Sequence, residues 1–250
     1  MTRDDWRAAR YYESHPDSPT QRGTPMTQNR REFIEQLTTG AMLATVPLSA
    51  DAIRAFASPA PRAAAEEWDV SWASKLNGKY KAVFDVPEIE SGYGVWRASI
   101  WAKQYMDVLK AAPSDLSSVV VIRHNAIVLA MTQAFWDTYG VAKTRTVTHP
   151  VTEQPTDRNP VLLSSSRGEV PAQLDDVALD KYIARGGIAL ACNLAFDDVV
   201  SMVTKKDGGS PESARKTALA GLVPGVILQP SGVFASLHAQ DAGCKYLRAS

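Results

Sequence analysis

Seven side chains in this sequence have the types to do chemistry together: Cys192, Arg123, His124, Asn125, Asn193, Ser231 and Gly232. A thiolate is a nucleophile and a sulfur carrier. An imidazole exchanges protons near neutrality. A guanidinium and side-chain amides hold an anion, and the Ser231–Gly232 pair reads as a helix start whose backbone amides would face one. Each also has a plain structural reading. Cys192 lies in GGIALACNLAF (186–196), and free cysteine is among the most buried residue types. His124 suits the capping of a carbonyl, Arg123 suits an ion pair, and Ser231 is first an N-cap. Trp96, Trp101, Phe135 and Trp136 suit a core or a subunit interface.

No familiar motif ties the seven together. The chain has no P-loop, no G-x-G-x-x-G, no G-x-S-x-G and no His-Glu-x-x-His. His15, His124, His149 and His238 lie too far apart for zinc spacing. The sequence therefore identifies no metal and leaves any cofactor unknown; a haem or metal at His124 is the weakest option.

The elements that must position these residues follow from periodicity. YKAVFDV, SSVVVIRH, IALACNLAF, PGVILQP and CKYLRAS read as five strands. Between them run amphipathic stretches, including VWRASIWAKQYMDVLKAA, one helix over 125–140 ended by Gly140, LDDVALDKYIARGG and SGVFASLHAQDAG. Residues 141–171, rich in Pro and Thr, read as an insertion. Strands alternating with helices predict an α/β fold: a mostly parallel sheet of about five strands with helices on both faces. In such a sheet ligands bind beyond the carboxyl ends of the strands. Arg123, His124, Asn125, Cys192, Asn193, Ser231 and Gly232 all fall there, as do residues 87–93 and Gln229. Cys192 lies towards the C-terminal end of its strand and Cys244 opens another, which puts them roughly 15 Å or more apart in a parallel sheet of ordinary strand length. A disulfide needs Cα atoms within about 7 Å, so two free thiols are expected.

The chain has 250 residues, a formal net charge of +0 and 45% apolar residues, as expected of a globular domain with an appendage. Neutrality gives no electrostatic case for nucleic acid. No apolar run reaches the length of about eighteen residues expected of a transmembrane helix. Residues 1–67 read as a disordered region with a twin-arginine signal-like segment. Arg30 and Arg31 precede Phe33, Ile34, a weak apolar stretch and an Ala-Phe-Ala at 55–57. A charged amphipathic helix on a flexible tail is the alternative. A twin-arginine signal predicts a periplasmic or extracytoplasmic protein that folds before export, anchored if the signal stays uncleaved.

The 68–250 region resembles the DsrE/DsrF-like family of sulfur-relay proteins. The residues that carry this are SSVVVIRHNAIVLAM, GGIALACNLAF and PGVILQPSGVFASLHAQDAGCKYLRAS. The resemblance implies a DsrE-like three-layer sandwich assembled as a homo-oligomer, a trimer or hexamer. It also puts Cys192 where relay members carry a persulfide, although NLAF replaces the usual small residues after it. Two functions follow as expectations. One is an exported sulfur carrier or sulfurtransferase acting through Cys192 on small sulfur species. The other is a non-catalytic assembly protein that binds a small ligand or cofactor with the same residues.

Overall fold

The computed structural model describes residues 68–250. The signal-like segment and the rest of 1–67 lie outside the described residues. Five parallel strands, β1 (Tyr80–Val86), β2 (Leu116–Ile122), β3 (Ile188–Cys192), β4 (Val226–Gln229) and β5 (Lys245–Arg248), form one sheet in the order β4-β3-β2-β1-β5. The sheet is wholly parallel where the sequence predicts a mostly parallel one.

This order dictates the layers. From β1 to β4 each step moves the same way across the sheet, and right-handed crossovers then place every connection on one face. That face holds α1 (Tyr93–Leu109), α2 (Gln133–Tyr139), α3 (Val141–Thr144), α4 (Leu179–Ala184), α5 (Asn193–Asp207) and α6 (Pro211–Ala220). Phe84, Val86, Val120, Ile122, Ala189 and Ala191 meet Val95, Trp136, Leu179, Phe196 and Ala218 in its core. The step from β4 to β5 runs back across the sheet, so α7 (Gly232–Asp241) lies on the other face. There Val83, Val119, Val121, Ile188 and Leu190 pack on Ala235 and Ala239, with Trp72 and Leu76 from a short entry turn.

Three boundaries differ from the sequence reading. The strand ends at Cys192, and NLAF opens α5, burying Phe196, Val199 and Val203 along one helical face. The predicted helix over 125–140 is broken. Residues His124–Ala130 form a 3-10 segment buried from Ala126 onward, and α2 starts afresh at Gln133 behind Thr132, whose hydroxyl accepts from the Phe135 amide. The 172–184 stretch likewise divides into a 3-10 segment and α4.

The 141–171 insertion is built into the domain. Val147, Val161, Leu163 and Val170 are buried, and Leu163 and Val170 enclose Trp96 with Val177. Asn159, fully buried, donates to the carbonyls of Leu129 and Met131 at 3.1 and 2.7 Å and accepts from the Val161 amide. It thereby closes the break between the 3-10 segment and α2.

Two carboxylates tie the rest of this stretch together. Burial alone would raise the Glu169 carboxyl. The Arg167 hydrogen bond, the Ser164 amide and the charges of Arg158 and Arg167 outweigh it and hold the group below the usual carboxylate range. Asp175 is also held low, by the Ser165 amide and hydroxyl. A depressed folded-state value stabilises the fold above the unfolded value, about pH 4, and that stabilisation is lost as pH falls through the folded value. Glu169→Gln should therefore flatten the acid side of the Tm–pH curve below about pH 4.5. Thermal melts across pH 2–7 in both proteins would check this; curves that stay parallel would contradict it.

Candidate functional site at the carboxyl edge of the sheet

The chains leaving β3 and β4 turn to opposite faces, β3 into α5 and β4 into α7. This is the switch point at which open α/β sheets form a crevice. Cys192 ends β3 there, in register with Gln229 at the end of β4. Strand alternation puts Cys192 on the α7 face with Ile188 and Leu190, Gln229 with Ile227, and Arg123 with Val119 and Val121. Arg123, Cys192 and Gln229 thus form one row across three adjacent strand ends. Cys192 is 6% exposed, and Gln229 is fully buried. The Gln229 side-chain amide donates to the Asp69 carbonyl at 2.7 Å.

The structure brings the predicted residues to this edge but pairs most of them with neighbours. The Arg123 guanidinium grips Asp85 in a bidentate pair, Nε to Oδ1 at 2.6 Å and Nη2 to Oδ2 at 2.7 Å. The Tyr246 hydroxyl donates to the same carboxylate at 2.6 Å. The Asp85 hydrogen bond raises the values of both Arg123 and Tyr246. A guanidinium already neutralised by a buried carboxylate offers little field to a thiolate at Cys192. The Arg123 stem passes over the start of α7, where a Cβ on Gly232 would lie 2.4 Å from Arg123 Cδ. Glycine is required there by contact, not by backbone angle.

His124 and Asn125 turn toward the end of β1. Glu88 takes His124 Nδ1 at 3.4 Å and the Asn125 amide at 2.8 Å, and its own amide donates to Ser250 Oγ. His124 has φ 52°, a left-handed conformation that costs a non-glycine residue on the order of 1 kcal/mol. Among the described residues no group of three His, Cys, Asp or Glu could hold a metal; His124 has Glu88 alone beside it. Asn193 Oδ1 accepts from Arg215 Nη2 at 2.6 Å. Ser231 caps α7 through the Phe234 amide at 3.0 Å. α5 has no side-chain cap at Cys192. Both cysteines are free and buried, and burial pushes the Cys244 thiol up to about 11.

Asp85, Tyr246 and Arg215 were not among the residues singled out from sequence. A lone acid inside the apolar run YKAVFDV was the available signal for Asp85, since a buried carboxylate demands a partner. Nothing local marked Tyr246 or Arg215, whose roles depend on strand order and on the packing of α6 against α5.

Comparison with family models, with curated proteins and with solved structures returned no match.

Proposed function

We propose that this chain is an exported, DsrE-like, non-catalytic protein that assembles as a homo-oligomer, with α7 at the subunit contact. The observation that carries this is α7 itself. Its inner face buries Ala235 and Ala239, yet its outer face is also apolar, with Val233 64% and Leu237 57% exposed and Phe234 beside them. Its last turn exposes the polar Gln240 and Asp241, so the apolar patch covers its first two turns, and an exposed apolar patch of this kind marks a contact surface. Parallel sheets are normally covered on both faces. Among the described residues α7 is the one α-helix on its face, and Tyr246 on the β5 edge stays half exposed. The pairing of Arg123 with Asp85, Asn125 with Glu88, Asn193 with Arg215 and Ser231 with the Phe234 amide fits a self-braced edge, able to hold a small ligand or cofactor, better than a poised catalytic group.

Leu237→Glu is expected to dissociate the oligomer while leaving the far-ultraviolet circular dichroism unchanged, because Leu237 faces outward. Sedimentation velocity across a hundredfold concentration range would check it. A wild-type protein that stays monomeric throughout defeats the proposal. Export is supported by the Arg30–Arg31 segment, and a periplasmic fraction lacking the protein would count against it.

A second reading, sulfur carriage by Cys192, is favoured by one observation: the thiol sits at the switch point of the sheet, at the start of the 15-residue helix α5. The thiolate would attack a polysulfide, forming one S–S bond as another breaks and a shortened polysulfide leaves. Sulfur added to wild-type protein but not to Cys192→Ala, read by mass spectrometry, would establish it.

A further inference from the structure

On the face of the sheet away from α7, a cleft of about 370 Å³ opens between α2, α3 and α5, lined by Tyr139, Thr144, Arg145, Met202, Lys205 and Lys206. Its volume lies at the lower end of small-molecule sites. The apolar lining is the Met202 side chain and the Tyr139 ring. That ring is fixed: it stacks on Phe135 at 4.4 Å, and its hydroxyl donates to Asp207 at 2.7 Å. Burial, with the Asp207 hydrogen bond, pushes the phenol up to about 12, so it stays neutral.

The lining carries three cations. Lys206 donates to the Thr138 carbonyl and lies over the Tyr139 ring. This lysine has an ordinary explanation, since cations complement carbonyls at helix C-termini. Arg145 has no such explanation. It comes from a different element, just past α3, and its one ion pair among the described residues is with Asp198 at 3.8 Å, with no side-chain hydrogen bond beside it. The side chain is 27% exposed and lines the cleft. Lys205 is exposed and makes no ion pair among the described residues. The two nearby carboxylates, Asp198 and Asp207, are engaged with Arg145 and Tyr139.

We infer that this cleft binds a small organic carboxylate with a flat apolar body, its carboxylate on the Arg145 guanidinium and Lys205, its body on Met202 and the Tyr139 ring. A guanidinium matches a carboxylate in bidentate geometry, and a polarisable thioether adapts to a flat ligand. A bare inorganic anion would leave the apolar lining unused, and a neutral ring would leave the cations unused. The site is independent of the α7 contact and stays open when that face is covered.

The test is calorimetric titration of the wild-type protein with benzoate, benzyl alcohol and inorganic phosphate at one ionic strength. Saturable benzoate binding, at least tenfold tighter than either control, is expected. Arg145→Ala should weaken benzoate tenfold or more, and Arg145→Lys should recover only part of the loss. The Arg145 side chain is 27% exposed and its one ion pair among the described residues is with Asp198, so circular dichroism should show both variants folded. Met202→Gln, which retains every charge, should also weaken benzoate. Benzoate that fails to saturate, binds no tighter than phosphate or benzyl alcohol, or is indifferent to Arg145→Ala would overturn the inference.

Discussion

Arg123→Ala should destabilise the domain by about 3–5 kcal/mol, the usual cost of removing one partner of a buried ion pair. The Asp85 carboxylate is 2% exposed and meets Arg123 through two hydrogen bonds and Tyr246 through a third. Without the guanidinium, a buried charge keeps a single phenol donor. The reciprocal loss is smaller, because the Arg123 side chain is 31% exposed and can rehydrate. Tyr246→Phe should cost about 1 kcal/mol, one hydrogen bond at a half-exposed site. The double variant Asp85→Val, Arg123→Ala should recover much of the stability lost in Arg123→Ala alone, since it removes the stranded charge. Urea unfolding of the four proteins measures this. If Arg123→Ala costs under about 1 kcal/mol, the pair does not brace the edge, and Arg123 is free for a ligand.

Asn159→Ala is the second large effect. The side chain is fully buried and satisfies the Leu129 and Met131 carbonyls and the Val161 amide at once. An orphaned buried polar group costs about 1–3 kcal/mol, so a loss of about 3–5 kcal/mol is expected once relaxation is allowed for. Asn159→Asp discriminates packing from donation. It keeps shape and the acceptor oxygen but cannot donate, and should be nearly as destabilising as the alanine. Hydrogen exchange should locate the damage between the 3-10 segment and α2. An Asn159→Asp variant of wild-type stability would mean that the insertion is held by its apolar residues alone.

These two sites mark where sequence stops being informative. The strands were legible because runs such as VVVI, β-branched and apolar at every position, suit a strand buried on both faces. The caps at Thr132 and Ser231 form as helix starts, although only Ser231 stood out in the sequence. NLAF was misread because a four-residue apolar run carries no period of its own; only Phe196, Val199 and Val203 together reveal the helix. The break before α2 was invisible because its cause, Asn159, lies 28 residues after Met131. For the site, parallel topology was enough to bring Arg123, Cys192 and Ser231 to one edge. Their partners were not legible: Asp85 meets Arg123 because β1 pairs with β2, and Tyr246 joins them only because β5 returns to pair with β1. Residue types at a strand end say what chemistry is available, and strand order decides whether a neighbour has already occupied it.

The most direct test of the functional account is native mass spectrometry of the full protein after polysulfide treatment, which reads assembly and sulfur loading in one spectrum. The account predicts a homo-oligomer of defined size with no sulfur added at Cys192, whose thiol is buried. A monomer, or an oligomer carrying added sulfur on Cys192, would contradict it.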